Sequence, residues 1–106
     1  MSSVNWITIY QQAIDAVKTS LGSTWSTVAT SAQHSIQLLV QTAQYITDHS
    51  AELNEDEQKL LTDNQQLAMQ SVLLGYKAIG IAAAEQAVDA AWGVIQPVLE
   101  AAIKIA

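Results

Sequence analysis

The stretch from Val72 to Ala106 constrains this chain most. It reads VLLGYKAIGIAAAEQAVDAAWGVIQPVLEAAIKIA and carries charge only at Lys77, Glu85, Asp89, Glu100 and Lys104. A helix built from it is apolar almost all the way round, and such a helix has to be buried by something. Small residues recur through it at Gly75, Ala78, Ala82, Ala83, Ala87, Ala90 and Ala91. They let a second helix backbone approach closely. In a membrane that is the small-xxx-small contact, and in water it is tight helix packing.

The rest of the composition agrees with a chain that reserves little surface for water. Only 13% of its 106 residues are charged, where about 25% is usual. The length suits one helical domain with its own core. Net charge is −6, and the only cations are Lys18, Lys59, Lys77 and Lys104. Nucleic-acid binding draws on clustered Lys and Arg, so no nucleic-acid partner is expected, and an anionic lipid surface repels such a chain. There is no cysteine, which removes disulfides, thiolate metal sites and thiol nucleophiles. The opening MSSVNWITIYQQ lacks a basic segment leading into an apolar run. The expected location is therefore the cytoplasm, or outside the cell by a route without a cleavable signal.

Apolar spacing of three and four predicts the helices. Ser2 or Ser3 can cap a first helix over 4–21, in which Ile7, Tyr10, Ile14, Val17 and Leu21 form one stripe. Gly22 stands where a left-handed C-cap is expected. A second helix over 24–49 carries Trp25, Val28, Ala29, Ala32, Ile36, Leu39, Ala43 and Ile46 on one side. Its Ser/Thr-rich start over 23–35 weakens it locally. Asp48 to Glu57 has the composition of a loop. Asn54 with Glu57 three residues later matches a capping box, and Glu55, Asp56 and Glu57 suit the positive end of a helix dipole.

From Glu55 no strong stop appears before Pro97. The stripe expected there is Leu60, Leu61, Leu67, Ala68, Val72, Ile79, Ala82, Ala83, Gln86, Ala90 and Val94. Read as one rod of about 42 residues, it spans about 63 Å. Pro97 kinks or restarts it. The expected fold is all-α: a three-helix antiparallel bundle with a long Ala/Gly-rich C-terminal helix. A break at 75–80 makes it a four-helix bundle instead.

Candidate chemistry is sparse. His49 and Glu52 stand three apart beside Asp48, but a di-metal bundle needs two Glu-x-x-His pairs and two further glutamates. His34 has no such neighbour. The acidic run from Asp48 to Asp63 lacks the glycine and alternating donors of a calcium loop. No Gly-x-Ser-x-Gly elbow or phosphate-binding glycine loop is present. No metal or cofactor is expected, and no enzyme. Trp6, Trp25 and Trp92 suit edges between dry and wet surroundings.

The chain therefore reads as a non-enzymatic helical interaction protein that self-assembles into a homo-oligomer through its C-terminal helix. The interface is expected at Gly75, Ile79, Ala83, Ala87, Ala90, Trp92 and Val94. The first alternative is a membrane-associated or pore-forming protein inserting residues 72–106. Its apolar runs, however, are cut by Glu85, Asp89 and Glu100 short of the ~20 residues a span needs. The second alternative is a carrier of a small apolar ligand, resting on the tryptophans alone.

Overall fold

The computed structural model describes residues 4–105. Four α-helical segments are found there: Trp6–Leu21 (α1), Trp25–Asp48 (α2), Glu55–Leu74 (α3) and Ile81–Ile105 (α4), with a 3-10 turn at Gly22–Thr24. No strand occurs among the described residues. α2 and α4 each pack against all three other helices, whereas α1 and α3 do not meet. The most extensive packing joins α1 to α4 and α2 to α3.

α1 begins at Asn5, whose side chain accepts a hydrogen bond from the Thr8 N–H at 3.2 Å. Asn5 thus satisfies one of the four N–H groups that a helix start leaves open. The caps expected from Ser2 or Ser3 lie outside the described residues. Gly22 ends α1 with φ 58° and ψ −130°. The positive φ is as expected at this glycine, but ψ puts it in the mirror of the extended region rather than in the left-handed helical well. Its N–H donates to the Lys18 carbonyl. Ala13, Val17 and Leu21 are buried, but Ile7 points into solvent, so the α1 stripe is rotated from the expected one.

α2 follows its expected stripe closely. Val28, Ala32, Ile36, Leu39, Ala43 and Ile46 are all buried, and Trp25 packs against the core. The Ser/Thr-rich start is helical from Trp25 onward, and the irregularity is confined to the 3-10 turn before it. At the far end His49 sits at the C-cap, with its ring Nδ1–H donating to the Tyr45 carbonyl at 2.9 Å and its ring stacked on Tyr45. The Tyr45 carbonyl thus accepts from both the backbone N–H and the ring of His49, which reinforces the helix end.

The capping box at the start of α3 forms as expected. The Glu57 N–H donates to Asn54 Oδ1 at 2.8 Å, and the Asn54 N–H donates to Glu57 Oε1 at 3.0 Å. The continuous rod does not form. α3 stops at Leu74, residues 75–80 make a turn, and α4 restarts at Ile81. The turn is closed by backbone hydrogen bonds from the Gly75, Tyr76 and Ile79 N–H groups to Val72, Leu73 and Tyr76. Two side chains anchor it. Tyr76 Oη shares a 2.6 Å hydrogen bond with Ser31 Oγ on α2, and Ile79 is buried in the core. Burying an isoleucine is worth about 1.5–3 kcal/mol. Together with the Tyr76–Ser31 bond and the turn's own hydrogen bonds, that offsets the few helical hydrogen bonds lost at the break, each worth about 0.5–1.5 kcal/mol net.

The break resets the helical phase, and the expected stripe over 60–94 holds only in part: Ile79 is buried and Leu61, Ala83 and Val94 pack against the core, whereas Ala82 and Gln86 are exposed. α3 turns Thr62, Met69 and Leu73 inward, and leaves Leu60, Leu67, Ala68 and Val72 outside. α4 buries Ala84, Ala87, Val88, Ala91, Ile95 and Leu99. It runs unbroken through Pro97. A proline deprives the carbonyl four residues earlier of its partner and clashes with it. Here that residue is Gly93. Both Gly93 and Pro97 lie on the exposed side of α4, so water can satisfy the Gly93 carbonyl.

Candidate functional site

α4 has a polar ridge that the apolar count of its sequence conceals. Glu85, Asp89, Gln96 and Glu100 are all exposed and recur at helical spacing, with Gln96 donating to Glu100 at 3.3 Å. The opposite face of the helix is covered by α1, α2 and α3. Between the ridge and that face, Ala82, Gln86, Gly93, Pro97 and Ala101 are exposed as well, so the chain covers the bulky apolar side chains of α4 and leaves a narrow strip of mostly small ones open. Small side chains make this cover close: Ala84, Ala87 and Ala91 are fully buried, as is Ala13 on α1.

The seven residues expected at an oligomer interface divide between inside and outside. Ile79 and Ala87 are buried within the chain. Ala83, Trp92 and Val94 are partly buried and pack against the core, and Ala90 is partly buried too. Gly75 is exposed in the turn.

The exposed apolar surface lies elsewhere. Among the described residues eight large apolar side chains are exposed, and five of them fall between Leu60 and Ile81. Leu60 and Leu67 are each 60% exposed, Ile81 is 66% exposed, and Val72 and Leu74 are also open to water. Leu60, Leu67 and Leu74 are spaced by seven, which is two turns. They form a row on the side of α3 opposite Thr62, Met69 and Leu73. The seven-residue recurrence was present in the sequence. A helix with leucines on two sides does not reveal which row its own chain covers.

α3 and α4 also enclose two shallow grooves. One, of about 340 Å³, is lined by Asp63, Gln66, Leu67, Gln70, Glu85, Val88 and Asp89. The other, of about 410 Å³, has Trp92, Leu99 and Ile103 among its walls and Glu55, Lys59, Asp63 and Glu100 on its rim. Both are open to solvent, whereas sites for small apolar ligands are concave and bury most of the ligand. Trp6 and Trp25 lie at the starts of α1 and α2, partly buried against the core.

No group of three or more His, Asp or Glu side chains among the described residues is placed to hold a metal ion. His34 is exposed on α2, and His49 is engaged with Tyr45. Lys59 and Asp63 form an ion pair along the exposed side of α3, which in such a setting is worth little. No helix among the described residues is long and apolar enough to cross a membrane. No protein-family model matches the chain, and no curated protein or solved structure shows significant similarity to it.

Proposed function

We propose that this chain is a non-enzymatic helical interaction protein that works as a homo-oligomer. The observation that carries the proposal is the concentration of exposed apolar side chains between Leu60 and Ile81. Contiguous apolar patches on monomers are usually small, and larger ones mark contact surfaces. The low charge fraction of the chain points the same way. Gly75 belongs to this surface. The inward-facing Ile79 and Ala87 do not, and they support assembly only by holding the helices that present it.

The same reading includes an antiparallel four-helix bundle as the scaffold. It is supported by short connections, Gly22–Thr24 and residues 49–54 and 75–80, between helices that pack on each other. Short links of this kind favour antiparallel neighbours.

Size-exclusion chromatography coupled to light scattering tests the function, run over a range of concentrations with and without liposomes. The expected result is an oligomer in plain buffer whose population grows with concentration. A protein that stays monomeric and folded at high concentration overturns the proposal. Assembly only after liposomes are added favours the membrane-associated alternative, with α4 or the α3–α4 corner lying in the lipid interface rather than crossing it.

A further inference from the structure

We infer that the outer row of α3 is the contact surface, and that its occupant is α3 of a second copy of this chain, running antiparallel about a two-fold axis at Leu67. This rests on the proposed self-association and adds the surface, the partner and the register.

The first argument is the geometry of the row. A seven-residue apolar repeat keeps one seam facing a partner helix when two helices pack at a shallow angle. Leu60, Leu67 and Leu74 supply three such positions over about 21 Å of helix. A closed dimer needs a surface that is complementary to itself, with residue i facing j and j facing i. A row of three equally spaced leucines meets this about its middle member. Leu67 then faces its own copy, Leu60 faces the partner's Leu74, and Leu74 faces the partner's Leu60. Ser71, exposed beside the row between Leu67 and Leu74, leaves room for the backbones to approach there. Ile81, exposed at the start of α4 beyond Leu74, adds apolar surface past the C-terminal end of the row.

The second argument is charge, and it sets the direction. Glu55, Asp56 and Glu57 occupy the first turn of α3. A parallel pairing places these two acidic turns side by side, and like charges in contact are unfavourable. The antiparallel pairing separates them by the length of the helix. It brings Asp56 toward Lys77 of the second copy, which lies exposed in the turn just past Leu74, and the two-fold axis repeats the pair at the other end. It also sets the positive end of one helix dipole beside the negative end of the other.

The absence of cysteine makes the register directly testable with Leu67→Cys, Leu60→Cys and the double variant Leu60→Cys/Leu74→Cys. All these sites are exposed, so folding is retained, and circular dichroism checks it. Under mild oxidation Leu67→Cys should form a disulfide dimer at least tenfold faster than Leu60→Cys. The double variant should dimerise through disulfides that join position 60 of one copy to position 74 of the other, as found by peptide mapping. Within one copy these positions are too far apart to join. A second arm uses charge. Asp56→Lys should weaken association several-fold, and Asp56→Lys/Lys77→Asp should restore it.

Self-linking of Leu60→Cys as fast as Leu67→Cys overturns the antiparallel register. An oligomer by light scattering in which none of the three variants cross-links above the rate of random collision overturns α3 as the surface and leaves the self-association standing. A wild-type monomer by light scattering overturns both.

Discussion

α4 and α3 teach opposite lessons about apolar sequence. α4 has the composition of a helix in want of a partner, yet its own chain covers nearly all its bulky apolar side chains, leaving outside Ile81 at its start, a ridge of Glu85, Asp89, Gln96 and Glu100, and a strip of mostly small residues beside it. α3 holds most of the acidic residues of the loop and helix start, yet it leaves Leu60, Leu67 and Leu74 exposed. The difference lies in how many neighbours each helix has. α4 packs against three helices, whereas α3 packs against two and lies apart from α1. A helix surrounded on three sides needs a wide apolar face. A helix at the margin needs a narrow one, and any further leucine on it faces water.

The sharpest way to break this contrast is to place the same charge on each helix. Ala87→Glu puts a carboxylate into a site that is wholly buried, at a cost of several kcal/mol. Set against a typical total stability of about 5–15 kcal/mol, this should lower the thermal midpoint steeply or unfold the chain. Leu67→Glu, on the exposed row, should leave the denaturation midpoint within about 0.5 kcal/mol of wild type when measured on the monomer. Equal losses from the two substitutions would show that α3 and α4 are not covered differently.

A smaller effect separates the helix from the turn that follows it. Gln70→Pro lies inside α3, where it removes an i→i−4 hydrogen bond and should cost about 3 kcal/mol or more. Ala78→Pro lies in the turn, where the closing hydrogen bonds come from the Gly75, Tyr76 and Ile79 N–H groups. It should cost under about 1 kcal/mol. Urea titration of both variants checks this, and a large loss at residue 78 would favour the unbroken rod.

Two milder substitutions probe the ends of α3. Asn54→Ala removes the side chain that accepts from the Glu57 N–H and should cost about 1 kcal/mol. An unchanged urea midpoint would place the start of the helix elsewhere. Tyr76→Phe removes the hydroxyl shared with Ser31 and should cost about 0.5–1 kcal/mol. Faster amide exchange in residues 75–80 should accompany it, because that bond ties the turn to α2. Unaltered exchange there would assign the turn to the burial of Ile79 alone.

The all-α class, the stop at Gly22, the α2 stripe and the capping box at Asn54 could be read from residues alone. Each depends on groups within one or two turns of one another: a glycine free to take positive φ, a carboxamide beside open N–H groups, an apolar period of 3.6. The break at 75–80 could not be read this way. No polar turn residues flank Gly75 or Gly80, so local propensity favours continuing the helix. The turn is held by Ser31, 45 residues away in the chain, and by the core that receives Ile79. The candidate surface was hidden for the same reason. Leu60 and Leu67 carry the same apolar signal as Met69 and Leu73, and only the docking of α3 against α2 and α4 decides which row is dry. Periodicity shows that a helix has an apolar side. Which side is covered depends on neighbours far away in sequence, and packing alone brings them together.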